Sequence, residues 1–295
     1  KYRSRTLASH ESVPAPVFMD WNADGRPDLL AQTAEDLLVW CQQEGGAFAA
    51  APDVRQTFPI AMDMARRLDV SFSSHATDLN GDGRADCVVF AGDSTSDEVR
   101  TQVLVYVQGA GKGASAQTPQ EPLFGPRGVP QQLLVIRGFA GMPQLADANG
   151  DGAVDLFLAT VQMTSMDAVR AAASGSVQAD LALYLNEKGR FSPQPVAHMT
   201  VGIPTEGLRG AGRRVSAEFV ADVTGDGLRD LLLRDDPARL RIIPLLRERR
   251  GLAFGRAAVY ETRVDERAKV LIGHPDPLEL LIIEHGQLLH VRFRP

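Results

Sequence analysis

The chain is 295 residues long, 44% hydrophobic and 23% charged, enough for one large buried core or two ordinary ones, and no run approaches the roughly 18 apolar residues of a membrane span. Its formal charge is −6, but twelve of its 37 acidic residues sit in four short loops. Four divalent cations there would carry the chain past neutrality, so the balance holds no nucleic-acid signal and no nucleic-acid partner is expected.

The chain begins at Lys1, and an upstream signal peptide or further domain is expected to precede it. Arginine outnumbers lysine 27 to 4, which suggests a GC-rich bacterial genome. Residues 1–9, KYRSRTLAS, alternate well enough to form one strand. Next comes APVFM, a strand entering the acidic loop DWNADGRPD at 20–28, followed by the apolar run DLLAQ, then DLLVW and a Gly–Phe element, GGAF, at 45–48. The same order recurs three times. SSHAT leads into DLNGDGRAD (78–86), followed by DCVVFA, QVLVYV and LFG (123–125). MPQLA leads into DANGDGAVD (147–155), followed by DLFLAT, DLALYLN and GRF (189–191). AEFVA leads into DVTGDGLRD (222–230), followed by DLLLR, RLRIIPLL and GLAF (251–254). Beyond these, AKVLIGHPDPLELLIIEHGQLLHVRFRP reads as three strands whose acidic loop has worn down to HPDP around His274. Gly286, between His285 and His290, fits a hairpin turn.

In each loop, positions 1, 3, 5 and 9 carry side-chain oxygens and position 7 can add a carbonyl, a donor set that suits calcium, which takes six to eight oxygens. The expected ligands of the first loop are Asp20, Asn22, Asp24, the Arg26 carbonyl and Asp28. Those of the second are Asp78, Asn80, Asp82, Arg84 and Asp86; of the third, Asp147, Asn149, Asp151, Ala153 and Asp155. The fourth has Asp222, Thr224, Asp226, Leu228 and Asp230, and the threonine predicts a weaker site. Up to four structural Ca²⁺ ions are expected. An Asx turn closing a hairpin is the competing account of one such loop, but four copies without a cation would repel themselves. An EF-hand is excluded, since position 12 is Ala31, Val89, Leu158 and Leu233 rather than glutamate, and short apolar runs, not helices, follow the loops.

Loop starts lie 58, 69 and 75 residues apart, the scale of one four-stranded blade with variable connections. The fold class expected is all-β, a β-propeller of five four-stranded blades. They span roughly 10–58, 70–125, 140–196, 215–258 and 267–295, the last closed by residues 1–9. A larger propeller, of which this chain is part, is the alternative. The four DxNxDGxxD-type loops with a later G-x-F element resemble FG-GAP or VCBS repeats, the units of integrin-alpha-like propellers. That resemblance implies calcium as a staple between the first two strands of a blade, with the oxygen ligands named above. The chain departs from the integrin pattern in blade number, which weakens any transfer of integrin ligand binding.

Second-to-third-strand connections (92–101 and 160–179) and the inter-blade segments (59–70 and 126–142) should share the face opposite the loops. Long loops on a rigid scaffold are where binding residues gather. On a short helix near 165–175, Met163, Met166 and Val169 are candidate partner-binding anchors; the alternative is that they plug the channel. Catalytic signatures such as H-E-x-x-H and G-x-S-x-G are missing from the sequence. The GAGKGAS stretch (109–115) lacks the Ser or Thr a phosphate loop needs after its lysine. Arg247–Arg250 (RERR) reads as a solvated turn. Cys41 and Cys87 read as free buried thiols rather than a bridge. The expectation is therefore a non-catalytic, calcium-stabilised, protein-binding or assembly module of an extracytoplasmic complex. A glycan-binding lectin is the alternative, and a polysaccharide-acting enzyme with a paired-carboxylate site ranks below both. Extracytoplasmic placement follows because weak calcium sites fill only where calcium is near millimolar.

Overall fold

A computed structural model describes residues 16–22, 24–32, 36–57, 72–93, 99–108, 129–140, 143–162, 173–204, 216–249, 251–275 and 277–293. The described chain is built from antiparallel β-strands. In chain order, β1 (Val17–Met19), β2 (Asp28–Gln32), β3 (Asp36–Trp40) and β4 (Val54–Thr57) pair side by side as the first sheet. The second is β5 (Phe72–Thr77), β6 (Asp86–Asp93), β7 (Arg100–Tyr106) and β8 (Gln132–Arg137). In the third, β9 (Phe139–Ala140) pairs with the far end of β11 (Asp155–Val161), which lies between β10 (Gln144–Ala146) and β12 (Ser176–Tyr184); β13 (Ala197–Pro204) completes it. The fourth takes β14 (Ser216–Phe219), β15 (Leu231–Asp236) and β16 (Arg239–Ile243). The hairpin of β17 (Leu245–Glu248) and β18 (Gly251–Phe254) then intervenes before β19 (Tyr260–Arg263) closes that sheet. The fifth sheet has three strands, β20 (Lys269–Pro275), β21 (Leu278–Glu284) and β22 (Gln287–Arg292).

The apolar runs after the second, third and fourth loops are continuous because both faces of β6, β11 and β15 are buried. Successive side chains point to opposite faces. On β6, Cys87, Val89 and Ala91 join Trp21, Leu30 and Val39 in a core shared with the first sheet. Val88 and Phe90 join Leu156, Leu158 and Tyr184 in a core shared with the third. Phe157, Leu181 and Leu183 pack against Phe219, Leu231, Leu233 and Phe254 between the third and fourth sheets. Leu232, Leu240 and Ile242 pack against Leu278, Leu280 and Ile282 between the fourth and fifth. Four cores thus join consecutive sheets in chain order. Phe157 meets Phe219 edge-on at 5.1 Å and Phe254 at 6.4 Å, so truncating it would cost about 3–5 kcal/mol.

Three boundaries differ from the sequence reading. Gln132–Arg137 and Phe139–Ala140 are strands, not an inter-blade connection, and the second sheet runs to Arg137 rather than 125. The third and fourth sheets likewise continue to Pro204 and Arg263, beyond 196 and 258. The Gly–Phe elements at 45–48, 189–191 and 251–254 do not end a unit, and LFG (123–125) lies outside the described residues. GRF at 189–191 belongs to a tight turn bridged by Asn186 and Phe191, and GLAF is β18; a fourth strand follows each. RLRIIPLL is also two strands, because Pro244 has no N–H for a continuous ladder, and β17 leaves the sheet to pair with β18. The candidate anchors Met163, Met166 and Val169, residues 1–9, segment 59–70 and the GAGKGAS stretch lie outside the described residues.

Candidate metal centres

The four acidic loops join β1 to β2, β5 to β6, β10 to β11 and β14 to β15, and all share one hydrogen-bond plan. The position 1 carboxylate accepts the position 6 amide: Gly25 to Asp20 (2.8 Å), Gly83 to Asp78 (2.8 Å), Gly152 to Asp147 (3.0 Å) and Gly227 to Asp222 (2.7 Å). These glycines have φ between 82° and 86°, a left-handed turn that side chains disfavour. The position 5 carboxylate accepts the position 7 amide, from Arg26, Arg84, Ala153 and Leu228 in turn. In the first three loops, the position 3 amide side chain (Asn22, Asn80, Asn149) accepts the position 5 N–H and donates to the position 5 carboxylate. Thr224 instead turns its hydroxyl to Asp222 (3.3 Å), while its N–H goes to Asp230.

Position 9 has a second role that its spacing did not reveal. Asp28, Asp86, Asp155 and Asp230 are at most 1% exposed. One oxygen of each accepts the position 2 N–H of its own loop, from Trp21, Leu79, Ala148 and Val223. The other accepts the N–H of Gln42, Gln108, Asn186 or Leu245, just past the third strand. These carboxylates therefore lock the loop to the sheet; each oxygen of Asp28, Asp86 and Asp155 accepts one of these bonds and keeps a lone pair, whereas one oxygen of Asp230 accepts both the Val223 and the Thr224 N–H. Burial, with added repulsion from loop carboxylates, pushes Asp86, Asp155 and Asp230 up to about 6. Asp28 is raised for the same reasons.

Among the described residues, no three acidic, histidine or cysteine side chains close on one metal-sized point. The loop donors are nonetheless hard oxygens on one turn, held by main-chain amides and close enough for Asp78 and Asp82 to raise Asp86. This set fits a calcium-like cation and not a soft metal, which would look for thiolate or imidazole. The first loop already holds a cation, since Arg26 pairs with Asp24 at 2.5 Å. Asp24 stays below its usual value: desolvation, the largest single influence, raises it, but the Asn22 hydrogen bond, the Arg26 amide and the charge and hydrogen bond of the Arg26 side chain together outweigh it.

Successive repeats meet at these loops. Asn186 gives its side-chain N–H to the Leu79 carbonyl (2.7 Å), and Arg229 N–H bonds the Ala148 carbonyl (2.9 Å). Arg247, expected to be only solvated, reaches the Asn149 carbonyl (3.0 Å). Elsewhere, His274 lies in β20 at the tight β20–β21 turn. His285 and Gly286 take positive φ in the β21–β22 hairpin, with His285 near Asp265 and His290 near Glu279. Cys87 is buried and Cys41 half-buried, both free thiols pushed up to about 12, chiefly by burial.

No curated protein matches the chain. Among solved structures, the chain is similar to a chain of a Photorhabdus luminescens Tc holotoxin pore at 15% identity and a TM-score of 0.29. That likeness covers 97% of this chain but only 14% of the other. At the sequence level, residues 20–89 match the FG-GAP-like repeat, spanning the first two acidic loops and the strands between them. This chain carries FG-GAP-like repeat sequence there, and that stretch belongs to the FG-GAP-like repeat family.

Proposed function

We propose that the chain is a calcium-stapled β-propeller that serves as a non-catalytic, protein-binding or assembly module of an extracytoplasmic complex. The observation that carries the reading is the fourfold loop plan, in which every loop bonds its own sheet through a buried aspartate and sits beside clustered acidic oxygens. Calcium there would neutralise the cluster and fix the loop, stiffening the scaffold without chemistry of its own. The five sheets, joined consecutively by four cores, support a ring of five blades completed by residues 1–9. Such a ring presents its long connections on one face as a recognition surface. Among the described residues, no helix is long and apolar enough to cross a membrane.

A second reading, glycan binding, has one observation in its favour. An open cleft on the third sheet is lined by Gln162, Ser174, Ser176, Gln178 and Asp180, amides, hydroxyls and a carboxylate of the kind that bond sugar hydroxyls. An affinity pull-down from cell-envelope extract, in calcium and in chelator, separates the two. A specific protein released by chelator supports the assembly module. Enriched glycan without protein favours the lectin, and neither outcome in calcium sinks both.

A further inference from the structure

The third and fourth acidic loops touch each other directly. Gly150, in the turn of the third loop, lies against the Gly227 carbonyl of the fourth, so closely that a Cβ on Gly150 would stand 2.6 Å from that oxygen. Gly150 has φ 77°, so no other L-residue would enter the position cheaply. Two bonds clamp the contact. Arg229, at position 8 of the fourth loop, gives its N–H to the Ala148 carbonyl at position 2 of the third. Arg247, from the β17–β18 hairpin, bonds the Asn149 carbonyl at position 3. Ala148 and Asn149 sit between the Asp147 and Asp151 ligand candidates, while Gly227 and Arg229 flank Leu228, whose N–H bonds Asp226. The main chain that must be ordered to hold a cation in one loop is thus packed on the main chain that must be ordered in the other.

We infer that the third and fourth loops bind calcium as a coupled pair, filling of either raising the affinity of the other; this rests on the reading of the loops as calcium sites. The physical cause is ordering. A cation in the fourth loop fixes the Gly227 carbonyl and the Arg229 N–H, and these hold Ala148 to Gly150 in their bound conformation. The second cation then meets a loop whose ordering cost is already met. Linkage makes the effect reciprocal, by the same factor in each direction. It also compensates for Thr224, which leaves the fourth site one amide oxygen poorer than the others.

One titration reads all four loops. The amides of Gly25, Gly83, Gly152 and Gly227 each bond the position 1 carboxylate of their own loop, so their ¹⁵N–¹H resonances report site by site as calcium is added to the full chain. Asp226→Ala, with the isosteric Asp226→Asn as a second variant in case the first fails to fold, disables the fourth site. The expected result is a rise of about threefold or more in the calcium midpoint at Gly152, in the range of ordinary coupling energies, with Gly25 unmoved because its sheet shares no core with the fourth. Asp151→Asn should move the Gly227 midpoint by the same factor. An unchanged Gly152 midpoint, or equal shifts at Gly152 and Gly25, overturns the coupling while leaving the calcium reading intact. No calcium-dependent shift at any of the four glycines in the parent chain overturns the calcium reading itself, and the coupling with it.

Discussion

Asp82 and Asp86 stand four residues apart in the second loop and do different work. Asp86 is 0% exposed and accepts two main-chain N–H groups, from Leu79 at 2.9 Å and Gln108 at 2.7 Å. Asp86→Ala leaves both donors buried and unpaired, a loss of about 2–5 kcal/mol that should appear in chelator and in calcium alike. Asp82 lies at the exposed end and bonds the Asn80 and Arg84 groups of its own turn. Asp82→Ala should lower the melting temperature in calcium and scarcely in chelator. Equal losses for the two variants in chelator would refute the division of roles. The raised carboxyls add a pH test. Asp86, Asp155 and Asp230 titrate near 6 against 3.8 in an unfolded chain, so the folded state binds more protons in that window. Their contribution in metal-free protein is therefore favourable below about 3.8 and lost as pH rises through about 6. Calcium at these sites would bind the ionised form and oppose that slope. The gap between melting temperatures in calcium and in chelator should widen from about pH 5 to about pH 7, and a constant gap would count against position 9 as a ligand. The loops were legible because their acidic residues and glycines follow a fixed local spacing. The locking role of position 9 was not, since its second donor lies 14 to 31 residues on, past the third strand.

At the scale of elements, neighbouring sheets are sewn together by glutamine side chains acting as short pieces of ladder. Gln144 on β10 donates to the Phe219 carbonyl (2.9 Å) and accepts the Phe219 N–H (2.6 Å). Gln132 on β8 does the same to Phe191 (2.7 and 2.8 Å). Phe219 and Phe191 are each 3% exposed, so their main-chain groups have no water to turn to. Gln144→Ala should cost about 2–4 kcal/mol, seen as a lower urea midpoint with an unchanged slope. Gln144→Glu should be no better near neutral pH, because a carboxylate keeps the acceptor and loses the donor. A Gln144→Ala midpoint equal to that of the parent would show that these pairs are not structural. These glutamines carried no signal in the sequence, being single polar residues whose partners lie 59 and 75 positions away. The first three strands of each repeat did, because two-sided burial turns β6, β11 and β15 into apolar runs. The fourth strands were harder. They are outer strands such as AHMTVGIP and YETR, whose mixed polar and apolar residues form no apolar run.

For the whole molecule, the open question is physical closure. The middle three sheets bury both faces, but the outer two bury one each. On the first sheet, Phe18 is 61% exposed, on the side shared through the ladder with Leu29 and Trp40. On the fifth, Leu271, Ile283 and Leu288 are 49%, 38% and 62% exposed, turned away from the core with the fourth sheet. A ring would bring these two apolar faces together, and β22, which has no fourth partner among the described residues, would gain one from residues 1–9. Pairing of that kind would cover the free edge of β22. The test is hydrogen exchange on β22. With residues 1–9 present, the alternate amides facing away from β21 should exchange slowly, as ladder amides do. After deletion of residues 1–9 they should exchange at the rate of an open edge while the amides of β6 and β11 stay protected. Fast exchange in the intact chain would leave the fifth sheet with an edge open to a further blade or to a partner, and the five-bladed ring would be wrong.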